Sequence, residues 1–133
     1  MAEHPHVALV RRIQQAMSAG DLATLEQMYT RDCVVYLPGD HPLAGEHKGR
    51  DAVLNVARRM HEETKGTLRL EPPQLFTDGR GHVIVLNRLT AERRGRRHDA
   101  ARAVNFTIVG DQIAAIEVYE PDLDHANQFW AEP

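Results

Sequence analysis

The spacing of apolar residues changes character once along this chain, at Gly66, and that change limits the fold more than any other feature. Before it, Val7, Val10, Ile13, Gln14 and Met17 recur at helical spacing. The helix they predict ends near Ser18-Ala19-Gly20, where Gly20 suits a left-handed C′ position and Asp21 can cap the next helix. Leu22, Leu25 and Met28-Tyr29 supply the stripe of a short second helix, broken by Arg31-Asp32. A third helix runs from Asp51 to about Lys65, with Val53, Leu54, Ala57, Met60 and His61 on one side and Asp51 complementing the helix dipole. Between the second and third, Cys33-Val34-Val35-Tyr36-Leu37 is a strand stopped by Pro38-Gly39, and residues 40–49 form an ordered loop. After Gly66 the pattern is all β: strands at 67–71, 74–77, 82–92, 99–109 and 113–120, with turns at Asp78–Gly81, Gly95 and Gly110-Asp111. Helices first and an antiparallel meander afterwards predict an α+β fold with the helices on one face of the sheet.

Composition narrows the partners. A chain of 133 residues fits a single domain over 1–133. A formal charge of −3 points to neither a nucleic-acid nor a membrane partner. The one dense basic run, Arg93-Arg94-Gly95-Arg96-Arg97-His98, sits at a predicted hairpin tip without interleaved aromatics, and is expected to be a solvated turn. There are eight histidines, but no pair has convincing ligand spacing. His61-Glu62-Glu63-Thr64-Lys65 lacks the second His that a zinc helix needs, so no metal is expected. Gly79-Arg80-Gly81 precedes no helix, and Gly45–Gly49 lacks the Lys-Ser/Thr end of a phosphate loop. Cys33 is the only cysteine, excluding an internal disulfide. The stretch Met1–His6 carries an acid and no apolar segment, unlike a signal peptide, so the expectation is a cytoplasmic protein.

The local wording then becomes informative. Ala19-Gly20-Asp21-Leu22, Pro38-Gly39 with Pro42-Leu43-Ala44-Gly45, Lys48-Gly49-Arg50-Asp51-Ala52-Val53 and Val109-Gly110-Asp111-Gln112-Ile113 occur in an order and spacing that resemble the nuclear transport factor 2-like superfamily. They look most like its SnoaL-like polyketide cyclase branch, as does the tail from Asp122, in which Phe129-Trp130 closes a short terminal turn. The resemblance covers nearly the whole chain. It implies a cone-shaped α+β barrel: three N-terminal helices on a strongly curved, mostly antiparallel sheet that encloses an apolar pocket. The superfamily includes ketosteroid isomerases, limonene epoxide hydrolases, cyclases, dehydratases and non-catalytic domains, so the fold does not choose a reaction.

The family's catalytic sets fit poorly. Aligned on the resemblance, the isomerase's Asp base falls on Leu37, its oxyanion Tyr on Ile13 and its oxyanion Asp on Val104. Aliphatic side chains neither accept a proton nor donate to an oxyanion. Tyr29 matches only a supporting Tyr. The epoxide hydrolase arginine falls on Arg102, but its two Asp positions fall on Val104 and Val118. Arg102 alone, always protonated, is no general base. A cyclase-type base has Glu120 and Asp99 as its nearest substitutes.

Strand parity predicts the pocket wall, since alternate residues share a face. Val35 and Leu37 face inward together, as do Val85, Asn87 and Leu89, then Arg102, Val104 and Phe106, then Ile116, Val118 and Glu120. Ile13, Met17, Tyr29, Ala57 and Met60 complete the wall from the helices. Each polar member also has a plain structural role open to it: Arg102 in an ion pair at a sheet rim, Asn87 on backbone, Glu120 in water at a strand end. Tyr36 and Tyr119 fall on the opposite, convex face, where a homodimer contact is expected. Two functions follow. One is a cofactor-independent enzyme (cyclase, hydrolase, dehydratase or isomerase type) acting on a small apolar oxygenated substrate, with Arg102, Asn87 and Glu120 as its catalytic residues. The other is a ligand-binding or dimerisation domain without chemistry.

Overall fold

The computed structural model describes residues 3–132. Met1, Ala2 and Pro133, two of which belong to the N-terminal stretch considered above, lie outside them. Helix α1 (Pro5–Ala19) has Pro at its start and His4 Nδ1 accepting from the His6 N–H at 3.1 Å. It buries Val7, Val10, Ile13 and Gln14. Gly20 ends it at φ 67°. That left-handed conformation favours glycine, and a Cβ there would also push against the His61 ring. Asp21 then caps α2 (Leu22–Met28), accepting from the Thr24 N–H at 3.1 Å and its hydroxyl at 2.6 Å.

Strand β1 (Tyr29–Leu37) starts earlier than the sequence implies. Tyr29 leaves the second helix and opens the strand, and Arg31-Asp32 continues it through an irregularity between Tyr29 and Val34. The loop expected over 40–49 contains β2 (Gly45–Lys48), an edge strand antiparallel to β1. Helix α3 (Arg50–Glu63) follows, burying Val53, Val56, Ala57 and Met60. Strands β3 (Arg69–Leu70), β4 (Gln74–Thr77), β5 (His82–Arg93), β6 (Arg96–Val109) and β7 (Gln112–Tyr119) complete the sheet. The tail is helix α4 (Leu123–Trp130), capped by Asp122, so the described chain has four helices where three helices and a terminal turn were expected.

The sheet runs β2-β1-β7-β6-β5-β3, with β4 also paired to β5. All pairs are antiparallel except β1 with β7. It is curved but unclosed, so the barrel expected from the resemblance is an open wrap. The two central hairpins turn at Arg94-Gly95 (φ 52° and 77°) and Gly110-Asp111 (φ 56° and 64°), the left-handed pairs that match strand twist.

Alternation is strict where it matters. On β5, Val83, Val85, Asn87, Leu89, Ala91 and Arg93 are buried. On β6, His98, Val104, Phe106 and Ile108 are buried. Each apolar side chain so buried contributes about 1.5–3 kcal/mol. The outer face carries Tyr36, Ile84, Leu86 and Tyr119, all exposed. The basic run divides: Arg94, Arg96 and Arg97 are exposed, whereas Arg93 and His98 point inward. Parity separates them, because 93 and 98 occupy inward positions on β5 and β6. Helix α4 is tied down by the Arg93 Nη1–H groups, which donate to the Phe129 and Ala131 carbonyls at 2.9 Å each. At its other side, Asn127 Oδ1 accepts from the Asp40 N–H at 2.6 Å. No helix among the described residues is long and apolar enough to cross a membrane.

Candidate functional site

Two adjoining cavities lie between the helices and the inner face of the sheet. The larger is about 60 Å³ and the smaller about 20 Å³. They share Leu37, Met60 and Arg102 as a common wall.

The larger cavity is apolar. Strands β1, β6 and β7 contribute Val35, Leu37, Val104, Phe106, Ile116 and Val118; the helices contribute Ile13, Met17, Ala57 and Met60, and Tyr29 stands at the base of β1. The parity argument places all of these here. Val85 does not reach the cavity: it is fully buried in the packed core, because α1 covers that part of β5. Leu89 lies farther along β5 and lines the smaller cavity instead. Four lining residues were not anticipated: Gln14, Val53, Val56 and Leu70. The first three lie on helix faces whose apolar spacing is plain in the sequence, and Gln14 is a polar residue inside such a stripe.

The polar groups gather where the cavities meet. The smaller cavity is lined by His41, His98, Arg102 and Glu120, with Pro38, Leu89, Ala126 and Trp130. Glu120 comes to Arg102 through register: Ala103 pairs with Tyr119 and Val104 with Val118, so the next step brings 102 opposite 120. The two do not form an ion pair. Among the described residues no carboxylate lies within 4.0 Å of the Arg102 guanidinium, and its Nε is buried without a partner. Glu120 Oε2 is likewise buried and unbonded. Burial lifts the Glu120 carboxyl above the usual carboxylate range, with the charges of Arg102 and His125 pulling it back. Burial lowers the Arg102 guanidinium, Glu120 opposing.

His98 is 2% exposed, stacked on His125 at 4.8 Å between ring centroids and packed on Phe129 at 5.0 Å. Burial, then the charges of His125 and Arg102, bring its pKa down to about 4, so at neutral pH it is an uncharged imidazole. His41 is also lowered, chiefly by burial, and its Nδ1 accepts from the Leu43 N–H at 3.2 Å.

The other nominated polar residues are engaged elsewhere. Asn87 lines neither cavity, though it borders an open outer groove together with Arg102 and Glu120; its Nδ2 donates to Gln14 Oε1 at 2.6 Å, a buried bond from β5 to α1. Asp99 points outward, where Arg88 holds its carboxylate, because it sits one residue from the inward-facing His98. Burial pushes the Tyr29 phenol and the Cys33 thiol up, the thiol to about 11, which leaves both protonated at neutral pH. Among the described residues, no group of three His, Cys, Asp or Glu side chains is placed to hold a metal ion.

The arrangement is an apolar chamber with the Arg102 cation on its wall and the Glu120 carboxyl, its pKa raised by burial, in the adjoining smaller cavity. It can seat an apolar body, stabilise negative charge on an oxygen and exchange a proton there.

Comparison with known proteins identifies the family and the fold. The uncharacterized protein Rv0034 of Mycobacterium tuberculosis (strain ATCC 25618 / H37Rv) is 31% identical over 131 residues, 98% of this chain and 100% of that one. The structure of Bal32a, from a soil-derived mobile gene cassette, superposes with a TM-score of 0.91 at 30% identity, covering 95% of this chain and 96% of that one. A putative SnoaL-like polyketide cyclase from Jannaschia sp. CCS1 shares the fold at a TM-score of 0.78 and 16% identity, covering 100% and 99% of the two chains. The model of the SnoaL-like domain matches residues 10–116, and the chain belongs to that family, within the nuclear transport factor 2-like superfamily.

Proposed function

We propose that this SnoaL-like domain binds a small, largely apolar, oxygenated molecule and acts on it as a cofactor-independent acid–base catalyst. The observation that carries the reading is Arg102: a cation on the wall of an apolar cavity, with no ion pair among the described residues and with Glu120 as its neighbour. A charge kept in such a place without a partner is destabilising, and a substrate oxygen that gains negative charge during reaction would supply the partner. Arg102 stabilises that charge. Glu120, its pKa raised by burial, exchanges the proton. His98, neutral beside them, adds no competing positive charge. The fold shared with a putative polyketide cyclase supports small-molecule chemistry as the class of function.

Binding without turnover is the second reading. It is favoured by the aliphatic residues Leu37, Val104 and Val118 standing where better-known relatives carry acids and bases.

One experiment separates the two. The protein is incubated with a panel of small epoxides, enones, β-keto esters and hydroxy acids, and conversion is followed by mass spectrometry. For a compound that turns over, Arg102→Ala is expected to lower kcat by about 10²–10³, and Glu120→Gln by about 10²–10⁴. Variants as fast as wild type would sink the assignment. Compounds that bind and never change would favour the second reading.

A further inference from the structure

The polar atoms that open on the larger cavity are biased toward donation. Its polar lining consists of Gln14, Tyr29 and Arg102. Gln14 is 5% exposed, and its Oε1 is occupied by the Asn87 Nδ2–H at 2.6 Å. Its Nε2 has no hydrogen-bond partner among the described residues, and Gln14 lines the cavity, so the free end of the amide is available to a ligand there. The Tyr29 hydroxyl and the Arg102 terminal nitrogens likewise have no hydrogen-bond partner among the described residues; Tyr29 lines this cavity, and Arg102 lines it together with the smaller cavity and an outer groove. Asn87 therefore does for Gln14 what a second support does for any catalytic group. It holds one end of the amide so that the other end is fixed in its direction.

Asn87 stands directly opposite Arg102 in the β5–β6 register, with both side chains on the inner face. Its Oδ1 is buried and unbonded. A cation across the strand pair favours an amide oxygen, not an amide N–H, on its own side, which is consistent with the Asn87 N–H groups turning toward Gln14. Three donors and no paired anion describe a site for acceptor oxygens carrying negative charge.

Resting on the reading of this cavity as a ligand site, we infer that Gln14 is its specificity-determining donor, held by Asn87 so that Nε2 meets an oxygen of a small carboxylate neutralised by Arg102. The cavity's about 60 Å³ admits only a short apolar body. Longer chains would need Met17 and Met60, flexible side chains on its wall, to move.

The test uses the full chain labelled with ¹⁵N and with ¹³C methyls, titrated with butyrate and with its neutral isostere butyramide. Butyrate is expected to move the Gln14 side-chain amide pair together with the Val35 and Val104 methyls, and to bind at least tenfold tighter than butyramide. Gln14→Leu should weaken butyrate binding about tenfold with the backbone spectrum preserved. Asn87→Leu, which frees the Gln14 amide to turn, should narrow the butyrate-to-butyramide preference. If butyrate moves the methyls but leaves the Gln14 amide in place, and Gln14→Leu binds as wild type does, the role of Gln14 is overturned while the ligand site stands. If neither probe moves a cavity resonance, the carboxylate class is overturned, and the turnover panel still decides the acid–base reading. The wild-type titration gives its answer even if a variant fails to fold.

Discussion

Arg93 and Arg102 project inward from adjacent strands of one sheet, and their surroundings could hardly differ more. Arg93 is 4% exposed and fully engaged: Nε and Nη2 reach Glu63 at 3.0 and 2.9 Å, and Nη1 donates to two carbonyls at the end of α4. Arg102 has no hydrogen bond and no ion pair among the described residues, and the carboxylate nearest to it in register, Glu120, is itself left unbonded. A buried charge costs several kcal/mol unless it is paired. Arg93 meets that cost with structure, joining α3, β5 and the C-terminal helix. Arg102 is only partly buried: its Nε is sealed without a partner, and the side chain borders both cavities and an outer groove with no ion pair among the described residues. The contrast separates a cation that builds the fold from one that, on the proposed function, serves what the fold encloses.

The most severe way to probe the comparison is to remove the engaged cation. Arg93→Met removes one of two guanidinium partners of Glu63, Arg59 remaining at 3.1 Å, and leaves two carbonyls without donors, so it should cost about 3 kcal/mol in urea unfolding. Because α4 ends in the chain's only tryptophan, Trp130, the same variant should shift the fluorescence emission to the red as the helix loosens. A variant with wild-type stability and emission would erase the distinction between the two arginines.

A smaller effect concerns the imidazole beside the free cation. His98 has its pKa lowered to about 4 in the folded state. Its contribution to stability is present above the unfolded value of about 6.5 and is lost as pH falls through that window toward 4. The loss assigned to this residue is on the order of 3 kcal/mol. Glu120, with its pKa raised, works in the opposite sense, contributing most at low pH and less as pH rises. The clean readout is therefore the difference between wild type and His98→Phe, whose ring can keep the packing on His125 and Phe129. That difference should change by about 3 kcal/mol between pH 6.5 and 4. A flat difference would mean that burial beside His125 and Arg102 does not hold the His98 imidazole neutral.

Much of this arrangement is legible in the sequence, for a reason that also explains what is not. Strands β5 and β6 are long, and a period of two needs only a few residues to fix which side chains face inward, so Arg102, Val104 and Phe106 follow from one another. The register that brings Glu120 beside Arg102 follows from the tight Gly110-Asp111 turn. Short polar elements carry no such signal. The edge strand Gly45–Lys48 has no apolar alternation, and α4 is eight residues long with Asp122, Asp124 and His125 near its start, so neither announces itself. Asn87 shows the limit of parity: the face was legible, but the pairing with Gln14 spans 73 residues and depends on how α1 crosses β5. The available signal was two amides interrupting two apolar stripes, Gln14 among Val10, Ile13 and Met17, and Asn87 between Val85 and Leu89.

The least disruptive substitution tests the central claim most directly. If Arg102 is kept for a ligand, Arg102→Met fills the same wall with an apolar side chain and should unfold within about 1 kcal/mol of wild type, or be more stable. With butyrate at about 100 times its Kd, wild type should gain about 2.7 kcal/mol, and Arg102→Met should gain nothing. An Arg102→Met protein that loses about 3 kcal/mol without ligand, as Arg93→Met is expected to, and that still gains stability from butyrate, would show that Arg102 is a structural cation after all.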